Sequence, residues 1–167
     1  MNIRKSPKKT KAPSDEIRYR MDDFSVDPMF YKEDNDLSAD NLKTFDGVTF
    51  QIKPTIGFLK EKGVIHIKIE YTLMKDSNPI NSISSLTRFI ITDFENLVFV
   101  KKVSESEFKI LDFIHRLISI SIGNTRGVHA IEIKKTHTPF LFMPVIDAKK
   151  LKIHFEESVR EEYVPDK

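Results

Sequence analysis

The sequence predicts an α+β domain, a four-stranded antiparallel β-meander covered by one long helix and a short C-terminal helix. Three observations carry that expectation. The first hundred or so residues hold apolar–polar alternation cut by turn signals, the mark of half-buried strands. After Phe108 the apolar spacing changes to threes and fours, the mark of a helix. The chain of 167 residues, 40% apolar and 31% charged, suits a single domain that buries about two-thirds of its unfolded surface.

The first strand is read where Ile17, Tyr19 and Met21 alternate with Arg18, Arg20 and Asp22, continuing through Phe24 and Val26 to a stop at Pro28. A polar loop, KEDNDLSADN, follows from Lys32 to Asn41. The second strand runs through Phe50, Ile52, Ile56 and Phe58, and Pro54 inside it argues for an edge position or a bulge. KEKG, Lys60 to Gly63, is a hairpin turn whose glycine is free to take positive φ. The third strand is the clearest, with Ile65, Ile67, Ile69, Tyr71 and Leu73 alternating against His66, Lys68, Glu70 and Thr72. KDSNP, Lys75 to Pro79, is the next turn, and Leu86 to Thr92 the fourth strand.

A helix start is expected at SESE, Ser104 to Glu107, where a Ser N-cap precedes Glu by three positions. Beyond it, LISISIGNTRGVHAIEI (117–133) reads two ways. Ile118, Ile120 and Ile122, then GNTRG, then His129, Ile131 and Ile133 make a hairpin. Leu111, Ile114, Ile118, Ile122, Thr125 and His129 make one stripe of a helix. Gly123 and Gly127 each cost a helix about 1 kcal/mol relative to alanine, so local propensity leaves the choice open.

The termini read as tails: a disordered basic segment over 1–14, a single domain over 15–156 and a flexible polar end over 157–167. The first carries Arg4, Lys5, Lys8, Lys9 and Lys11 without an apolar cluster, too little to offset its ordering entropy. A nucleic-acid arm needs a matching basic stripe on the body, and none is evident. A net charge of +2 points the same way. No cysteine is present, which removes disulfides, thiolate metal sites and thiol catalysis. No secretory signal or membrane-length apolar run is visible, so a cytoplasmic protein without membrane insertion is expected.

Catalytic patterns are sparse. There is no nucleophile elbow, phosphate-binding glycine loop or dinucleotide fingerprint. His129 and Glu132, three apart, offer two metal ligands with His137 a remote third, but no complete set forms, and surface histidines are the plainer reading. No metal, cofactor or enzyme activity is expected. A metal-dependent enzyme built on that pair is the weakest alternative, and elemental analysis tests it.

Two apolar ribbons suggest a binding surface instead. One is Phe94, Leu97, Val98 and Phe99; the other is Phe140, Leu141, Phe142, Met143, Pro144, Val145 and Ile146, ahead of Asp147, a plausible N-cap. Burial is non-directional and Met adapts its shape, so such ribbons bind many sequences. They serve equally well as this domain's own core.

YRMDDFSVDPMF, Tyr19 to Phe30, and the block running from NTRG through KKTHTPFLFMPVIDAKKL, Lys134 to Leu151, together resemble the SecB family of export chaperones, with meander strands between them in matching order. The resemblance spans roughly residues 17–155. It implies that GNTRG lies inside the long helix, with Ser121, Gly123, Thr125 and Gly127 forming a narrow face for close packing or for oligomer contacts, in a dimer of dimers. It implies grooves along the two apolar ribbons that hold unfolded polypeptide clients for export. It places Asp23 and Asp27 where the family meets the translocation ATPase. The fourth-strand position that is acidic in the family falls near Thr87, beside Arg88, which weakens that docking. A chaperone dedicated to one partner, such as an antitoxin, is the alternative on the same fold.

Overall fold

The computed structural model describes residues 18–32, 47–92, 112–136 and 141–155, together with the backbone of 100–102 and 108–110. Among these residues there are eight strands and one helix: β1 (Tyr19–Val26), β2 (Phe30–Tyr31), β3 (Val48–Leu59), β4 (Val64–Lys75), β5 (Asn78–Ile91), β6 (Val100–Lys102), β7 (Phe108–Ile110), α1 (Asp112–Ile133) and β8 (His154–Phe155). The class is α+β with one long helix, as expected, but the sheet has six strands where four were expected. Its order is β1-β5-β4-β3-β8, with β2 also paired to β5.

The simple meander is corrected at its first strand. Tight connections make β3, β4 and β5 consecutive neighbours. The β4–β5 turn is Asp76-Ser77, both residues at positive φ (48° and 67°), the geometry that matches the twist of a two-residue hairpin. The β3–β4 turn is a 3₁₀ turn, Lys60–Lys62, closed by Gly63 at φ 59°. These hairpins use both sides of β4 and leave the far side of β5 open. β1 takes that side, antiparallel, with Tyr19 opposite Ile91 and Val26 opposite Ser85. The longer connection after β2 then returns the chain to β3 at the other end of the sheet. Pro54 sits opposite Ile69 in an unbroken register, and on its other side β3 is paired, among the described residues, only at Thr55 and Ile56 by the parallel β8. The edge expectation for Pro54 therefore holds, without a bulge.

Alternation gives the sheet two faces. Ile65, Ile67, Ile69, Tyr71 and Leu73 of β4 and Ile83, Ser85, Thr87 and Phe89 of β5 are buried on the inner face. His66, Lys68 and Glu70 lie on the outer face, where Lys68 pairs with Glu70 at 3.0 Å. α1 crosses the inner face over β4 and β5 and contributes Ile114, Leu117, Ile118 and Ile122 to the core. Each such side chain contributes about 1.5–3 kcal/mol of burial.

The helix reading of 117–133 is thus the correct one, although the helix begins at Asp112. Residues 108–110 form β7, paired with β6. Alternating Phe-Lys-Ile suits a short strand as well as a first helical turn, and pairing with 100–102 decides it. The expected short C-terminal helix is a single 3₁₀ turn, Ala148–Lys150. Asp147 caps it, accepting from Lys149 N at 3.0 Å, but Leu151 is already extended and the chain runs on into β8. The aromatic and β-branched residues of IHF favour that strand over a further turn. The terminal tails, the 33–46 loop and the SESE segment lie outside the described residues.

Candidate functional site

α1 decides what the inner face can offer, because its two flanks meet different neighbours. Ser121 and Thr125 point down onto the sheet and are fully buried. Thr125 Oγ1 donates to Ser121 O at 2.7 Å, which spends its only proton. Ser85 Oγ must therefore donate to Thr125 Oγ1 across the 2.5 Å contact that ties helix to sheet. Gly123 and Gly127 are exposed, and a Cβ added at either meets nothing within 4 Å. The single narrow face expected from these four residues is therefore two faces. One residue pair packs inward; the other opens outward, beside Ile131 at 61% exposure.

One turn further on, His129 is in the core and not on the surface, contrary to the sequence reading. It is fully buried, edge-on to Tyr71 with ring centroids 5.1 Å apart. Met143 N donates to His129 Nδ1 at 3.4 Å, so Nδ1 carries no proton and Nε2–H faces Asn81 Oδ1 at 3.3 Å. Burial pushes the imidazole down to about 4 and the Tyr71 phenol up to about 12, which keeps both neutral. This node joins helix, sheet and the 141–147 segment. Tyr71 Oη and Asn81 Nδ2 have no hydrogen-bond partner among the described residues. His129 is thus turned inward, away from Glu132, whose carboxylate pairs with Lys135 at 2.7 Å. Among the described residues no group of three potential metal ligands forms, and His137 lies outside them.

The 141–147 segment is an extended strap over the flank of α1 that carries His129. Leu141 and Met143 are buried at 4% and 1%, while Phe142 and Val145 stand out at 47% and 78%. This second apolar ribbon is therefore half core and half surface. Phe140 and the first ribbon, Phe94, Leu97, Val98 and Phe99, lie outside the described residues.

On the opposite flank α1 faces β1, β2 and the turn between them. Tyr19 packs against Phe113 there, and Asn124 Nδ2 reaches Met21 Sδ at 3.3 Å. Farther along, the two elements part and leave an open cleft of about 530 Å³. Its apolar floor is Val26, Met29, Ile83 and Val128; its rim is Asp27, Pro28, Tyr31, Glu132, Lys135 and Thr136. The sequence reading missed this cleft. Val128 and Glu132 at i, i+4 were the visible signal, but their partners come from three separate strands and the turn at Pro28.

The two aspartates lie at different points along the β1 edge. Asp23 stands directly opposite Arg88 in the ladder, on the outer sheet face, and Arg88 Nη2 is 3.8 Å from Asp22 Oδ2. Asp27 lies past the end of β1, at the rim of the cleft. Thr87, where an acid was sought, is buried on the inner face.

No family model and no curated protein matches the chain. Among solved structures, a SecB-like chaperone of Mycobacterium tuberculosis in complex with a peptide from an antitoxin aligns at 8% identity, TM-score 0.46, over 77% of this chain and 88% of that one. A protein of unknown function from Streptococcus agalactiae aligns at 12% identity, TM-score 0.42, over 79% and 97%. Neither similarity is close enough to carry a function across to this chain.

Proposed function

We propose that the protein is a SecB-like chaperone that holds unfolded or non-native polypeptide, without nucleotide, metal or catalysis of its own. The observation that supports this reading most directly is the open, apolar-floored cleft between α1 and the β1–β2 edge. Among the described residues β1 ends the sheet order, so backbone groups along it would offer an extended chain a pairing edge while its side chains enter the cleft. Apolar burial in the floor supplies affinity without demanding one sequence. Assembly into a dimer of dimers in the cytoplasm would multiply weak contacts along one client.

Service to protein export is the weaker part of this reading. With Arg88 across from Asp23 and beside Asp22, the outer sheet face is a mixed-charge surface, and a basic site on a translocation ATPase would gain little from it. The cleft is short and has a charged rim, which favours a second reading: a chaperone dedicated to one partner segment, such as part of an antitoxin.

The test is aggregation of a refolding client in the presence of the purified protein, with solution mass followed by light scattering. Suppression near one-to-one stoichiometry is expected; no protection together with a monomeric mass would sink the proposal. Capture from the native cell separates the two readings, since a broad set of clients supports general holding and one dominant partner supports the dedicated role.

A further inference from the structure

Among the described methionines Met21 is the most exposed, at 51%, and it stands opposite Phe89 just before the register shift of β1. Its sulfur accepts from Asn124 Nδ2 of α1 at 3.3 Å. Asn124 and Val128 are four apart on one helix flank, so this contact lies one turn before the cleft, where strand and helix are still joined. Met29 and Met74 are half-buried, and Met143 is buried at 1%. The chain has no cysteine, so no thiol competes with methionine for a peroxide. We propose that Met21 is an oxidation site, converted to the sulfoxide by a hydroperoxide, whose new oxygen is held by the Asn124 amide.

In the oxidation itself a sulfur lone pair attacks one peroxide oxygen. The S–O bond forms as the O–O bond breaks, and sulfur loses two electrons. The other oxygen takes up the proton of the transferred one and leaves as water or an alcohol. A thioether is a weak acceptor, so the Asn124 amide gains little from it. The sulfoxide oxygen carries negative charge and is a strong acceptor on the same side chain. Because Met21 is half in water, the new polar group is not buried unpaired. Sulfoxide in a core disrupts packing; at Met21 it tightens the link between β1 and α1. This role of Met21 does not depend on what the cleft holds.

The experiment treats the folded full chain with limiting hydrogen peroxide and reads sulfoxide at each methionine by peptide mass spectrometry. Met21 should oxidise several-fold faster than Met29 and Met74, with Met143 slower still. Urea denaturation then compares reduced and oxidised protein, with and without Asn124→Ala. Met21→Leu, treated in parallel, subtracts the effect of the other methionines. Asn124 is partly exposed, so its substitution should leave the fold intact. Oxidation should favour the folded state about fivefold more in the unchanged protein than in Asn124→Ala, the scale of one net hydrogen bond. An equal response to oxidation in both proteins overturns the proposal, because the new oxygen is then not held by Asn124. Faster oxidation of Met29 or Met74 than of Met21 overturns it as well.

Discussion

His129 shows how burial of one residue can make stability depend on pH. Tyr71 and Asn81 face it from the sheet and the Met143 amide faces it from the strap, and none of these is charged. Its pKa falls from the ordinary 6.5 to about 4 on folding, so the folded chain binds fewer protons than the unfolded one between those values. This contribution is fully present above pH 6.5 and is lost as pH falls through about 4, with a limiting slope of about 1.4 kcal/mol per pH unit. Urea denaturation across that window should show the slope, and His129→Gln should flatten it. The Ser85–Thr125 pair gives a second expectation. Thr125→Val keeps the shape but strands the Ser85 donor in the core, at a cost of about 1–3 kcal/mol. Adding Ser85→Ala should recover part of that loss, because no unpaired donor then remains; a double variant no better than the single one would mean that the contact is not a hydrogen bond.

The glycines of α1 put their cost on the element as a whole. Both lie mid-helix, exposed, with open space where a Cβ would be. Gly123→Ala and Gly127→Ala together should raise the midpoint of thermal unfolding by the equivalent of about 1–2 kcal/mol, through reduced backbone freedom in the unfolded chain. A fall in stability, with a lower mass by light scattering, would instead mean that a second copy packs on this face. The same element shows how much of the fold the sequence disclosed. β4 was plain because its two faces differ at every residue, and the hairpin turns were plain because Gly63 and the Asx-type residues of KDSNP mark them. α1 was ambiguous because β-branched isoleucines at even spacing satisfy both periods, and only packing on the sheet selects one. The stripe Ile114, Ile118, Ile122, Thr125, His129 already contained the buried histidine, but a polar ring in a core cannot be distinguished from a surface one until its partners are known. Strand order was hidden for a related reason: β1 pairs with β5 across more than fifty intervening residues, and no local pattern encodes that choice.

For the whole molecule, the same separation in sequence explains why the cleft escaped notice and gives the means to test it. Its floor is assembled from β1, the turn after it, β5 and α1, so it exists only once the sheet order is set. Val128 lies at the centre of this arrangement, partly buried on the helix flank. Val128→Glu puts a carboxylate on the apolar floor close to Asp27 and Glu132, where an apolar client segment must desolvate it. Because Val128 is partly solvated, the domain should keep its fold, with an unchanged far-ultraviolet circular dichroism spectrum and a stability loss of about 1 kcal/mol. Protection of a refolding client should fall at least tenfold. Gln51→Glu, the same gain of charge on the outer face of β3, should leave protection intact. If both variants protect as well as the unchanged chain, the cleft is not where the client lies, and the exposed side of the strap, Phe142 and Val145, becomes the next surface to change.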